Sequence, residues 1–174
     1  MAAQFAWFEA KLNEESEQRE AIRTVVKDLE SALRSIETTL QQIQALREAD
    51  CAPVLAEARA KFAPVRQSIE RLAAIVPVAQ FYRFCGMWKF SIQQAAFLSA
   101  FLVFLESGQL VSAAQLEELT LGESCASVGL PTSLTLNAVP LSDETRFHIE
   151  LDDFLLGVCN LFSELVCAGS ITSS

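Results

Sequence analysis

The chain has 174 residues, about the length of one domain, and 51% of them are hydrophobic, with only six glycines and five prolines. This composition favours a helical domain that can bury a core without disulfides or a metal. The formal net charge of −9 counts against a strong polyanion binder and against adhesion to an anionic membrane, so any contact with phosphates needs a local basic patch.

The five cysteines are scattered and form no Cys-x-x-Cys pair, and there is a single histidine. We therefore expect reduced thiols, no zinc site and no cofactor, in a protein of the cytoplasm and nucleus. The N-terminus has no basic stretch followed by an apolar one, so it does not resemble a signal peptide. The apolar run Ala95–Leu105 is shorter than the roughly 20 residues of a membrane span, so we expect a soluble chain.

An apolar stripe with alternating spacings of four and three residues predicts a long first helix from about Gln4 to about Ala49. Such a helix packs antiparallel to its neighbours or coils with them. The stripe consists of Ile22, Val26, Leu29, Leu33, Ile36, Leu40 and Ile43.

A second helix is predicted from Pro53, which suits a first helical turn, to about Ala74. Pro64 lies inside it and is expected to kink or split it. This segment is the most basic part of the chain. Its cations are Arg59, Lys61, Arg66 and Arg71.

A third long helix is predicted from Pro77 to Ser107, with Gly108 as its C-cap. A capping box of Ser112 and Gln115 predicts a short fourth helix that ends at Gly122. Residues 123–146 lack helical periodicity and are predicted to be a flexible loop. A last helix is expected from Phe147 to Cys167, followed by a frayed tail. Together these elements predict one domain over residues 1–174, an all-α antiparallel bundle with long first and third helices.

Two cations flanked by aromatic rings stand in the third predicted helix, in Tyr82–Phe84 and Trp88–Phe90. Arginine and lysine beside flat rings suit contact with phosphates and unstacked bases. The alternative is a core helix with ordinary cations at its rim, and spacing alone favours that alternative.

An ordered set of segments, none of them a strict motif, resembles the translin family from Arg19 to Leu165, apart from the predicted loop. The segments are Arg19–Arg23, Val25–Val26, Leu29–Glu30, Gln80–Phe84, Trp88–Phe90, Phe97–Phe101, Phe104–Glu106, Leu110–Val111, Phe147–Glu150, Asp153–Phe154, Leu156–Val158 and Ser163–Leu165.

The resemblance implies an all-α bundle that assembles into a hollow shell and holds single-stranded RNA or DNA on interior basic residues. It implies two kinds of subunit: one builds most of the shell, and the other, translin-associated factor X, carries a Mg²⁺-dependent endoribonuclease site. Such complexes support activation of the RNA-induced silencing complex and processing of tRNA precursor fragments. The implied partners are single strands, further copies of this chain and a translin-associated factor X-like subunit.

The catalytic relatives hold Mg²⁺ with two glutamates on the central helix and an Asp and a Glu on a later one. By resemblance, the first pair falls on Gln94 and Phe97, and the second on Asn160 and Glu164. An amide or a phenyl ring does not replace a carboxylate ligand, so three of the four ligands are missing. We therefore expect no metal site and no catalysis by this chain alone, while a weak Mg²⁺-dependent endoribonuclease activity stays open as an alternative.

The resemblance places nucleic-acid contacts on cations and rings of three helices. These residues are Arg19, Arg23, Arg59, Lys61, Tyr82, Arg83, Trp88 and Lys89. Two histidines usual in the family are replaced by Cys85 and Met87, so we expect weak, salt-sensitive binding with little sequence preference. This hypothesis fails if Arg83 and Lys89 point outward or are engaged by neighbouring acids. A helical scaffold that binds no nucleic acid is the other class of function.

The family continues beyond the last helix of this sequence with further helices that cover the core and build subunit contacts. From the resemblance we therefore expect either a C-terminally shortened isoform or an incomplete gene model, and in both cases an uncovered apolar face that favours association or instability. We expect an oligomer or a poorly soluble monomer.

Overall fold

The computed structural model describes residues 2–43, 48–120 and 149–172, and all regular elements in these ranges are helical. The predicted all-α class is confirmed, whereas the loop predicted at 123–146 lies outside the described residues. The helices are α1 (Ala2–Ile43), α2 (Glu48–Ala60), α3 (Phe62–Ile75), α4 (Phe81–Phe84), α5 (Lys89–Ser107), α6 (Ala113–Thr120) and α7 (Leu151–Thr172). Two 3₁₀ turns, Val78–Gln80 and Cys85–Met87, flank α4.

The apolar stripe of α1 forms the centre of the core, as its spacing predicts. Six of its seven residues are at most 7% exposed, and Ile43 is partly buried against them. Helices α2, α3 and α5 all pack on α1. Helix α1 is described to Ile43, residues 44–47 lie outside the described residues, and Ala49, near which the end of α1 was predicted, belongs to α2.

The predicted split of the second helix is confirmed and lies at Lys61. In a continuous helix the ring of Pro64 would clash with the carbonyl group of Ala60, so the chain breaks before α3 begins. The backbone N–H of Lys61 is shared between the carbonyl oxygens of Glu57 and Ala58, at 3.1 Å each. Pro53 does not begin the helix as predicted, because α2 starts five residues earlier, at Glu48.

The predicted continuous third helix is wrong, because two 3₁₀ turns and α4 precede α5. The backbone N–H of Trp88 donates to the carbonyl oxygen of Cys85 at 3.2 Å, which is the tighter 3₁₀ pattern. Gly86 lowers the helical preference there, and burial of Phe84 and Trp88 stabilises the irregular winding. The predicted C-cap is confirmed, because Gly108 has a φ of 69°.

Helix α1 and the segment α2–α3 run antiparallel, as predicted. Lys61, at the start of α3, donates a 2.6 Å hydrogen bond to Thr39 near the end of α1. At the opposite end of the pair, the amide of Gln18 donates to the carbonyl oxygen of Ile75 at 3.5 Å. Contacts therefore progress in opposite directions along the two segments.

Helices α5 and α7 both run in the direction of α1. Gln94 of α5 donates to Glu37 of α1 at 3.1 Å, and Gln93 donates to Asp153 in the first turn of α7 at 2.8 Å. Farther along α7, Glu164 lines a cavity beside the second half of α5. The parallel course of α5 and α7 is not indicated by the sequence.

The capping box at the start of α6 is confirmed. Gln115 accepts the backbone N–H of Ser112 at 2.9 Å, and Ser112 accepts the backbone N–H of Gln115 at 3.3 Å. The last helix begins at Leu151, later than the predicted Phe147, which lies outside the described residues. It continues to Thr172, so the predicted frayed tail is helical where it is described.

Helix α5 is long and apolar enough to cross a membrane by length and composition alone, with 19 residues and a mean hydropathy of 1.3. The apolar run Ala95–Leu105 is only part of this helix. Within the bundle, 56% of the segment is buried, and a buried core helix has the same composition. Its packing face is made of small residues such as Ala95, Ala96 and Ser99.

The contact between α5 and α7 depends on Gly157. A Cβ atom at this position would lie 2.6 Å from the Cβ of Ala96 and 2.8 Å from the backbone nitrogen of Phe97. These atoms belong to a helix backbone and a side chain fixed to it, so they cannot move aside without separating the helices. The two axes approach closely because glycine has no side chain here.

The polar end of the same contact is built around Asp153, whose side chain is 7% exposed. Lys89 lies 3.6 Å from Asp153 and 3.7 Å from Glu150, and the amide of Gln93 completes the group. The negative charge of Asp153, followed by that of Glu150, raises the pKa of Lys89 above its ordinary 10.5. Lys89 therefore neutralises a buried carboxylate between two helices.

Gly157→Ala should destabilise the protein by about 1–3 kcal/mol, because the added methyl group overpacks the α5–α7 contact. The measurement is the urea midpoint of unfolding followed by circular dichroism. Gly86→Ala is the matched control, since nothing lies within 4 Å of a Cβ placed there. Equal losses in the two variants would contradict the role of Gly157.

Lys89→Met should lower the melting temperature at neutral pH, because it leaves Asp153 buried without its cation. The stabilisation from Lys89 is complete below pH 10.5 and is lost as the pH rises through the raised folded-state pKa. The difference between wild type and variant should therefore shrink only at strongly alkaline pH. Lys27→Met, at an exposed position of α1, is the control and should change little; equal melting temperatures of wild type and Lys89→Met at pH 7 would refute the assignment.

Candidate nucleic-acid interface

The predicted contact residues do not form one continuous surface in the structure. They fall into a group on α1 and in the segment from α4 to Trp88, a group at the junction of α2 and α3, and Lys89 at the α5–α7 contact. The first group is Arg19, Arg23, Tyr82, Arg83 and Trp88, and the second is Arg59 and Lys61.

The first group contains two guanidinium groups that converge on one carboxylate, and we call Arg19 and Arg83 the arginine pair. Arg19 donates from Nε and Nη2 to Oε1 of Glu15 at 3.1 and 2.6 Å. Arg83 donates from Nη2 to the other oxygen, Oε2. The hydrogen bond from Arg19, together with the charge of Arg83, lowers the pKa of Glu15 below its ordinary 4.5.

Both members of the arginine pair lie against the same ring. The guanidinium carbon of each is 5.8 Å from the ring centroid of Phe84, a distance suited to cation–π attraction. Phe84 is 1% exposed and belongs to the core. Both guanidinium groups, although far apart in sequence, therefore pack against the same immobile ring.

The aromatic residues of this region divide into exposed and buried ones. Tyr82 is 69% exposed and is adjacent to Arg83 in the chain. Trp88, predicted to contact nucleic acid, is only 2% exposed and packs edge-on against Phe81 at 5.6 Å between ring centroids. Trp88 is thus a core side chain that supports the turn, and its ring face is not accessible to a base. Phe90, which was not chosen from the sequence, is 75% exposed.

The second group is also engaged by acidic partners. Arg59 donates from Nε and Nη2 to the two oxygens of Glu106 at 3.2 and 2.6 Å, and Glu106 raises the pKa of Arg59. Lys61 lies 2.7 Å from Glu57. The Arg59 pair connects α2 to α5, and the Lys61 pair connects the junction of α2 and α3 to α2.

Arg83 and Lys89 both have acidic partners, so the condition under which the sequence-based binding hypothesis fails is met for each. Any binding of an anion at Arg83 therefore requires that its acidic partner be displaced. The two cations differ in how exposed the carboxylate is that would remain unpaired if the cation bound another anion. Lys89 faces a carboxylate that is 7% exposed, whereas Arg83 is 53% exposed and its partner Glu15 is 22% exposed. Exposed pairs exchange partners at little cost, while a buried charge without its counterion is strongly unfavourable. Arg83 can therefore change partners, and Lys89 is committed to the fold.

Sequence reasoning missed Glu15 as part of this region. Its position four residues before Arg19 is a detectable signal, because such residues are neighbours on one helical face. Its contact with Arg83 depends on the packing of α4 against α1 and has no local signal. Arg66 of the predicted basic segment also stands apart: its Nε atom is buried and has no hydrogen-bond partner in the described part of the chain.

A cavity of about 260 Å³ is lined by Phe97, Glu164 and Glu37 of α1, among others. Phe97 and Glu164 are two of the four positions at which the resemblance predicts carboxylates in the catalytic relatives. Phe97 stacks on Phe101 with centroids 6.0 Å apart. Asn160 is exposed. Within residues 2–43, 48–120 and 149–172, no three His, Cys, Asp or Glu side chains form a group that could hold a metal ion.

The comparisons with known proteins agree on one family. The family model described as Translin family matches residues 17–172. Translin of Gallus gallus is 31% identical over 176 residues, which cover 99% of this chain and 69% of that protein. Translins of Bos taurus and Homo sapiens are 34% and 33% identical over 92% of this chain and 64% of their own length. The chain thus spans about two thirds of the length of these relatives, and it belongs to the translin family.

Proposed function

We propose that this protein is a non-catalytic subunit of a translin-type oligomer that binds single-stranded RNA or DNA. In this proposal it acts in the cytoplasm and nucleus, beside a translin-associated factor X-like subunit, in RNA processing and in activation of the RNA-induced silencing complex. The main observation behind the proposal is the arginine pair in a chain of the translin family.

The arginine pair has the chemistry that a nucleic-acid backbone requires. Guanidinium groups form directed, charge-assisted hydrogen bonds to phosphate oxygens. Tyr82, adjacent to Arg83 in the chain, has an exposed ring that is available for stacking on a base. Because the chain carries a net charge of −9, such a small patch supports weak binding that depends strongly on salt.

The absence of catalysis is part of the proposal and is supported by the chemistry of four positions. Gln94 and Phe97 on α5, and Asn160 on α7, stand where the catalytic relatives are expected to have carboxylates, and only Glu164 is acidic. Octahedral Mg²⁺ needs several oxygen ligands that converge. A weak Mg²⁺-dependent cleavage that disappears in Glu164→Ala would contradict this part.

Self-association is supported by apolar side chains that the described part of the fold leaves uncovered. On α7, Leu151, Leu155 and Phe162 are 58%, 49% and 51% exposed, and their spacing places them near one face. The start of α1 exposes a second set. That set is Phe5, Trp7, Phe8 and Leu12.

A helical scaffold without nucleic-acid binding is the second candidate. It is favoured by the acidic partners of each cation predicted to contact nucleic acid. The two functions differ in their response to loss of the arginine pair, because a scaffold needs these cations only for folding.

Replacing both Arg19 and Arg83 with Gln should weaken binding to a short single-stranded oligouridylate. It should also flatten the dependence of log K on log salt by about 1.4, which is about 0.7 for each lost phosphate contact. The measurement is a fluorescence anisotropy titration at several salt concentrations. The Arg34→Gln, Arg71→Gln double variant removes the same charge from ion pairs elsewhere and should leave the slope nearly unchanged. If wild type shows no affinity at low salt, the binding function is wrong and the scaffold remains.

Leu155→Glu and Phe162→Glu should each shift the protein toward monomers in sedimentation velocity, because a charge on the exposed face of α7 disfavours its burial between subunits. Leu110→Glu is the control, since Leu110 is 52% exposed at a site away from α7 in the chain. A monodisperse monomer in the wild type would contradict self-association.

A further inference from the structure

Glu15 lies where two arginines from different helices point at one anion. We propose that Glu15 occupies the place of a nucleic-acid phosphate between Arg19 and Arg83, and that it thereby lowers the affinity of this chain for single strands. This inference rests on the proposed binding function and names the internal competitor at that site.

The geometry of the carboxylate matches that of the expected ligand. Arg19 contacts only Oε1 of Glu15, and Arg83 contacts Oε2. A phosphodiester likewise presents two non-bridging oxygens that diverge from one atom and carry one negative charge. Two guanidinium groups that each hold one carboxylate oxygen are therefore arranged to hold one phosphate in the same way.

The arginine pair has a support other than Glu15. Both guanidinium groups lie against the buried ring of Phe84, at 5.8 Å from its centroid. This attraction and the position of each arginine on a helix remain when the charge of Glu15 is removed. We therefore expect the pair to keep its place and accept another anion.

Glu15 also differs from the other acidic partners on α1. Glu20 and Glu30 each contact a single arginine, Arg23 and Arg34 respectively, and both contacts lie within one helix. Among the residues described by the structure, Glu15 alone is bound by two arginines, and these come from α1 and α4. Since Glu15 is part of the same helix as Arg19, it competes at a high effective concentration.

The neighbourhood supports a nucleic acid as the displacing ligand. Tyr82 precedes Arg83 in the chain and is 69% exposed. An exposed ring on the same short helix is available to stack on a base of a bound strand. Arg83 and Arg19 are 53% and 47% exposed, so a phosphate reaches them from solvent without any opening of the core.

The test compares Glu15→Gln with wild type in binding to a short single-stranded oligouridylate, by fluorescence anisotropy at low salt. The amide keeps the size of the side chain and removes its charge. We expect binding to become tighter by roughly tenfold, as for a charge-assisted contact that no longer has a competitor. Glu30→Gln is the matched control, because it removes the same charge from an i,i+4 pair with Arg34 on the same helix. Its effect should stay within about twofold, as for an ordinary surface pair.

A second comparison distinguishes whether Glu15 competes with the phosphate or holds the two arginines in position for it. If Glu15 only holds the arginines in position, Glu15→Gln weakens binding, and the inference is wrong. If Glu15 competes, the gain disappears when Arg83→Gln is added, and the cycle of single and double variants shows coupling. Melting temperatures of all variants identify any change that comes from unfolding.

The possible failures are distinguishable. Wild-type binding with equal affinities of Glu15→Gln and Glu30→Gln overturns the competitor and leaves the binding function in place. An absence of binding in wild type, Glu15→Gln and Glu30→Gln overturns both.

Discussion

The burial of one apolar stripe along α1 is the constraint on which the other helices depend. The stripe runs from Ile22 to Leu40 without an exposed member, and α2, α3 and α5 cover it from different sides. Because these contacts occupy one long face of α1, the polar residues that meet neighbouring helices are those at the edges of this face, while others, such as Lys27, are exposed. The arginine pair forms at such an edge, where the chain turns from α3 into α5.

The excess of acidic residues shapes this edge as much as the packing does. With 22 carboxylates for 13 basic side chains, a cation at the rim of a helix contact readily has an acid within reach. Arg59, Arg83 and Lys89 each have one from another helix. Whether such a cation can leave its partner then depends on the exposure of the carboxylate. Water can solvate Glu15 when its arginines leave, whereas the buried Asp153 would remain without compensation. In an acidic chain, the availability of a basic residue for an anionic ligand therefore depends more on its acidic partners than on its own charge.

Local signals in the sequence account for much of the fold. The stripe of α1, the break near Pro64, the capping box at Ser112 and the left-handed Gly108 each depend on nearby residues, and each is found where it was predicted. The winding from Val78 to Met87 was not predicted, because the burial of Phe81 and Phe84 in the core overrides the helical pattern. The candidate site was predicted only in part for the same reason: residue type suggests Arg83, but burial removes Trp88 and tertiary contacts engage Lys89.

The fit of Gly157 against α5 also fixes the position of α7 along its axis. Its neighbours Leu156 and Val158 carry branched side chains, so a shift of α7 by one residue in either direction, with the accompanying rotation, would bring a bulky group to a place that accepts only a hydrogen atom. The contact therefore constrains the position of α7 independently of the length of the connection between α6 and α7. Insertions or deletions in this connection should leave the register of α5 and α7 unchanged, because the contact at Gly157 determines the position of α7 along α5.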